Sequence, residues 1–125
     1  MIACMQRKTF RRLKTASVAA HHHNVYVVLL SSKARKLREV RAENPNADPK
    51  KPCLYIGMTG LSPEERFQNH KNGLKAARVV QLYGLRLLPE LYELYNPMPF
   101  EAALEMEREL AEDLRAQGYT VTGGH

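Results

Sequence analysis

CLYIGMTGLSPEERFQNH, residues 53–70, contains a strand, a break and a helix start in immediate succession. Residues 53–59 are short, apolar and bounded by Gly60, the pattern of a buried strand. Ser62, Pro63 and Glu65 then stand at the spacing of an N-cap, a first helical residue and the third residue of a capping box. The Ser hydroxyl can accept from the Glu65 amide while the Glu65 carboxylate reaches back, and Pro63 loses no helical hydrogen bond there. This predicts a helix over residues 63–76, weakened by Gly73 near its end. Arg66 falls in its first turn and His70 four residues later, so both project from one face.

Outward from this segment, residues 25–30 (VYVVLL) form a second apolar, β-branched run of strand length. Residues 31–52 are charged, and Asn44-Pro45-Asn46 and Asp48-Pro49 signal turns; residues 33–43 have the composition of a short helix. Downstream, Tyr83-Gly84 is a break, and residues 85–93 are expected to be an edge strand because Pro89 cannot donate to a ladder. A last helix is predicted over residues 99–117, stopped by Gly118, with a short extended tail at 119–122. Residues 1–23 lack a clean period and are expected to be a mobile basic arm with room for a short helix. The fold class is α/β: one domain over residues 24–125, a small three-stranded antiparallel sheet flanked by helices, with residues 31–52 as a charged insertion.

The 125 residues suit a single domain, and 44% hydrophobic with 26% charged residues is ordinary globular composition. The net charge of +6 is unevenly spread. Residues 1–51 hold twelve Lys and Arg against Glu39, Glu43 and Asp48, whereas residues 52–125 hold seven against ten acids. The first part of the chain is therefore suited to a polyanion such as nucleic acid, although basic tails also occur without a specific partner. Cys4 and Cys53 lack zinc-ligand spacing, and a reduced, intracellular, cytoplasmic setting is the simplest expectation. Residues 7–20 are basic and acid-free, with a faint likeness to an organellar transit peptide. No apolar run approaches the roughly 20 residues a membrane span needs. His21, His22 and His23 could chelate a metal weakly, but consecutive positions cannot all face one ion on regular structure, and an incidental linker is the simpler reading. No glycine-rich phosphate loop implies a nucleotide cofactor.

The last helix carries six acids, of which Glu107 stands apart. At 100° per residue, Phe100, Ala103, Leu104, Leu110, Ala111 and Leu114 share an apolar sector, and Glu107 falls inside it. A core-facing carboxylate requires a cation, strong donors or a proton. The alternatives are a structural salt bridge to an arginine, a place at the rim of the stripe, or a metal ligand or acid/base group opening into a cleft.

Asn24-Val25-Tyr26 on one strand, Tyr55-Ile56-Gly57 on the next, Arg66 and His70 on the following helix and Glu107 on a later one resemble the GIY-YIG nuclease domain. That family includes homing endonucleases, the incision subunit of nucleotide excision repair, structure-specific resolvases and some restriction enzymes. The resemblance covers residues 24–125 and implies a divalent-metal-dependent endonuclease that hydrolyses phosphodiester bonds in DNA. It implies that Tyr26 and Tyr55 lie side by side, one of them activating or positioning the attacking water; Tyr55 matches the base of the repair enzymes, and other members favour the first tyrosine. Arg66 would bind the scissile phosphate, His70 would support the tyrosine and phosphate network, and Glu107 would hold one Mg²⁺ or Mn²⁺. Asn24 and Val25 replace the glycine and isoleucine of the first motif, and Met58 follows Gly57 where some repair enzymes have lysine. The connection between the tyrosines is much longer than the family's hairpin, and Tyr119, Thr120 and Thr122 stand where many members carry an asparagine. The family commonly takes its specificity from attached domains, so a partner protein or self-association would supply it here. The rival expectation is a catalytically weak or inactive nucleic-acid-binding module that retains the fold.

Overall fold

The computed structural model describes residues 21–124. All of the expected basic arm except its last three residues, and Cys4 with it, lies outside the described residues. The ordered domain starts earlier than Asn24. His23 pairs in an isolated bridge with Met98, and its ring meets Phe100 edge-on at 5.1 Å.

The protein is α/β, with a four-stranded mixed sheet and four α-helices among the described residues. β1 (Asn24–Leu30) and β2 (Cys53–Thr59) are antiparallel, in register from Asn24 opposite Thr59 to Leu30 opposite Cys53. Residues 31–52 connect them through a 3-10 turn, Ser32–Lys36, and helix α1, Arg38–Glu43. The single helix expected over residues 33–43 is thus split at Leu37, whose extended ψ of 135° interrupts it.

Helix α2 (Pro63–Lys71) has the capping box read from the sequence. It ends at Lys71 rather than at 76. Gly73, at φ +80°, lets its amide bond the His70 carbonyl while Leu74 bonds Asn69, and these two contacts close the helix end. A short helix not anticipated from the sequence, α3 (Arg78–Tyr83), follows and runs directly into β3 (Gly84–Leu87). β3 pairs antiparallel with β1 and is an edge strand as expected. It stops well before residue 93, because Pro89 opens a 3-10 turn. Helix α4 (Phe100–Ala116) precedes β4 (Thr120–Gly123).

β4 corrects the expectation of a three-stranded antiparallel sheet. The extended tail pairs parallel with β2, giving the order β3-β1-β2-β4. Its four residues carry too little pattern to reveal pairing with a strand so distant in sequence. β1 and β2 are buried on both faces, as their unbroken apolar runs require. Met106, Leu110 and Leu114 of α4 join Val25, Val27, Leu54 and Ile56 in one core. The buried stripe of α4 is rotated from the expected sector: Ala102 and Met106 are inside, whereas Phe100 and Leu104 are 46% and 40% exposed. Glu107 remains within it.

Candidate active site

Tyr26 lies opposite Gly57, and Tyr55 lies opposite Val28, so the tyrosines are diagonal neighbours on one face of the β1–β2 pair. Their ring centroids are 6.2 Å apart. Gly57 makes room for this arrangement. A Cβ at that position would stand 2.5 Å from the Tyr26 hydroxyl, so the ring lies directly across the glycine.

Helix α2 brings His70 onto the same face. Its Nε2 is 2.8 Å from the Tyr26 hydroxyl, and its Nδ1 accepts from the Ala77 amide at 3.0 Å. A ring nitrogen that accepts cannot carry the proton, so the neutral imidazole must be protonated at Nε2 and donate to Tyr26. Burial, and then the charge of Arg66, pull the His70 pKa down to about 4, which keeps the ring neutral. The relay therefore has a direction: Ala77 N–H to His70, His70 N–H to Tyr26, and the Tyr26 proton left free to donate onward. His70, expected from its i to i+4 spacing to share a helix face with Arg66, thus has a further anchor, the Ala77 amide, which no side-chain pattern could have shown.

Both tyrosines are held above the ordinary phenol range. Burial is the main cause for Tyr26, followed by proximity to Tyr55. For Tyr55 the main cause is burial, followed by the Glu107 charge, while Arg66 and the Tyr26 hydroxyl favour its ionised form. Tyr26 is fully buried and Tyr55 only half-buried, so Tyr55 is the hydroxyl that can meet water.

Arg66 projects into a groove of about 460 Å³ lined by Thr59, Leu61, Asn69 and Leu74. Its guanidinium donates to the carbonyls of Leu74 at 3.2 Å and Lys75 at 2.8 Å. A guanidinium has five N–H donors, so others remain for a ligand. The same charge acts on Tyr26, Tyr55 and His70.

Glu107 is 8% exposed and makes no hydrogen bond or ion pair with any described residue. The structural salt bridge considered from the sequence is therefore absent among the described residues. Burial pushes its pKa up to about 7, and its charge is felt by both tyrosines. Two glycines bring α4 and the tyrosine face close together. Gly123 and Gly124 have φ of +79° and +78°; a Cβ on the first would strike the Ile56 carbonyl and crowd the Tyr55 ring, and one on the second would strike Ala111. The end of β4 thus threads between Tyr55 and the helix of Glu107, a close approach that L side chains would block.

All five residues singled out in the sequence meet in one electrostatic neighbourhood. No group of three or more His, Cys, Asp or Glu is clustered for metal binding among the described residues. A lone, unpaired carboxylate suits Mg²⁺, which retains several waters and takes phosphate oxygens as further ligands. It does not suit Zn²⁺, whose sites use three or four protein donors. No described helix is long and apolar enough to cross a membrane. No protein-family model, curated protein or solved structure matches the chain.

Proposed function

We propose that the protein is a GIY-YIG-type endonuclease that hydrolyses phosphodiester bonds in DNA with one Mg²⁺ or Mn²⁺ ion. The observation that carries this reading is the directed relay from the Ala77 amide through His70 to Tyr26, beside a more exposed Tyr55, a cation at Arg66 and an unpaired Glu107. Hydrolysis needs an attacking water, a countercharge for the pentavalent transition state and help for the departing alkoxide. Tyr55 orients the water and, only once ionised, takes its proton; burial and the Glu107 charge oppose that ionisation, while Arg66 and the Tyr26 hydroxyl favour it. Arg66 offers its remaining donors to the non-bridging phosphate oxygens, where negative charge builds. Glu107 would hold the metal, which when bound supplies a Lewis-acid contact to phosphate and cancels the carboxylate charge that disfavours a Tyr55 phenolate.

A second reading, a nucleic-acid-binding module without catalysis, is favoured by the use of Arg66 to tie down the Leu74 and Lys75 carbonyls. Incubation with plasmid and branched DNA under Mg²⁺ or Mn²⁺, then with chelator, separates the two. The nuclease reading expects chelator-sensitive cutting that falls roughly 10²-fold or more in Arg66→Ala, the scale for one transition-state electrostatic contact. Arg66→Lys should recover little, because a point charge does not reproduce the planar fork. Tight DNA binding with no cutting under either metal establishes the second reading instead.

A further inference from the structure

The insertion between β1 and β2 builds a second concavity. A pocket of about 250 Å³ is lined by Arg35, Arg41, Asn44, Pro45, Pro49 and Thr120, among others. Two of its polar atoms are buried without a hydrogen-bond partner at ordinary geometry: Nε of Arg35 and Oγ1 of Thr120. Thr120 is only 2% exposed, so its hydroxyl gains nothing from bulk water. Orphaned donors of this kind cost stability unless a ligand or water meets them.

The wall of the pocket is rigid. Asn44 spends its whole hydrogen-bonding capacity on it: Nδ2 donates to the carbonyls of Val40 at 2.7 Å and Val121 at 2.8 Å, while Oδ1 accepts from the Val121 amide at 2.9 Å and Arg115 Nε at 3.2 Å. This locks the end of α1 to β4 and α4, so the backbone that carries Arg41 and Thr120 is fixed before any ligand arrives. Nearby acids are otherwise engaged, since Glu43 accepts from Thr122 and Asp48 from the Lys50 amide. The Cys53 thiol is a weak partner for the Thr120 hydroxyl and meets Arg35 at its backbone rather than at Nε. Burial keeps that thiol protonated, so it does not neutralise the arginine.

We propose that this pocket binds a phosphate group, with Arg35 and Arg41 supplying charge and Thr120 a hydroxyl donor. Two guanidiniums and a hydroxyl match a tetrahedral oxyanion with several acceptor oxygens. The phosphate can belong to a nucleic-acid backbone or to a free phosphorylated small molecule. Thr120 is two residues from Thr122, the partner of Tyr55 across the sheet, which is roughly 7 Å along the strand. A backbone seated in the pocket would therefore run beside the candidate active site. The pocket itself stands whether or not that site cuts.

Backbone amide shifts in the folded chain test this, with inorganic phosphate titrated against chloride at matched ionic strength. The expected result is saturable movement of the Arg41, Thr120 and Val121 amides, with affinity falling about tenfold or more in both Arg41→Gln and Thr120→Val. Arg41 is exposed, and valine is nearly isosteric with threonine, so both variants should fold. A second arm uses a short DNA duplex. Movement of the same amides, reversed by inorganic phosphate, assigns the site to a nucleic-acid backbone; phosphate binding with these amides indifferent to DNA assigns it to a phosphorylated small molecule. Amides unmoved by either probe, or either variant titrating like the wild type, overturns the proposal.

Discussion

Glu107 and His70 are buried in one site with opposite responses to pH. Burial raises the Glu107 pKa from 4.5 to about 7, so the stability it contributes is complete below pH 4.5 and is lost as pH rises through 7. His70 falls from 6.5 to about 4, so its contribution is complete above pH 6.5 and is lost as pH drops through 4. Between pH 4.5 and 6.5 the two slopes oppose each other, and the metal-free protein should show a nearly flat profile there. Glu107→Gln removes one slope. Its stability should climb from pH 4 to 6.5 and then level off, exceeding the wild type at pH 8 by on the order of 2 kcal/mol without metal. Denaturant unfolding across that range checks this; a variant less stable than wild type at pH 8 would instead make the carboxylate a structural partner. Glu107 was legible in the sequence because one charge stood in an apolar helical stripe. The Ala77 amide was not, since a backbone donor carries no side-chain signature.

Among the elements, legibility followed length and local chemistry. β1 and β2 were readable as unbroken apolar runs, and the start of α2 as a capping box whose bonds form entirely within four residues. α3 was missed because its six residues, RVVQLY, are too few to establish a helical period. β4 was missed as a sheet strand because its pairing with β2 arises from contacts far apart in sequence. Gly57 was read only as part of a motif, although its meaning is steric. Gly57→Ala should push the Tyr26 ring off His70, destabilise the fold by about 1–3 kcal/mol through overpacking, and remove the relay. Thermal unfolding together with the His70 ring resonances measures both effects; an alanine variant with unchanged His70 signals would show that the ring does not depend on that gap.

Over the whole molecule, positive charge is concentrated in the first part of the chain. The surplus of Lys and Arg lies in residues 1–51, while the catalytic candidates are spread from β1 to α4. Because His23 is bonded to Met98 through both backbone groups, a truncation meant to leave the fold intact should remove residues 1–20 and spare the bridge. That truncation removes Arg7, Lys8, Arg11, Arg12 and Lys14. The shortened protein should fold normally and bind DNA more weakly, with a shallower dependence on salt because fewer counterions are released. An identical salt slope would exclude the arm from the interface.

The parallel seating of β4 beside β2 also has a consequence during synthesis. A ribosome working from the N-terminus exposes Tyr26, Tyr55, Arg66 and His70 well before it has made Glu107, and the strand that threads Gly123 and Gly124 past Tyr55 comes later still. The nascent chain consequently presents its basic segments while the carboxylate and the closing strand are still missing. Chain order acts as a timer that delays assembly of the candidate site until α4 and β4 have been made.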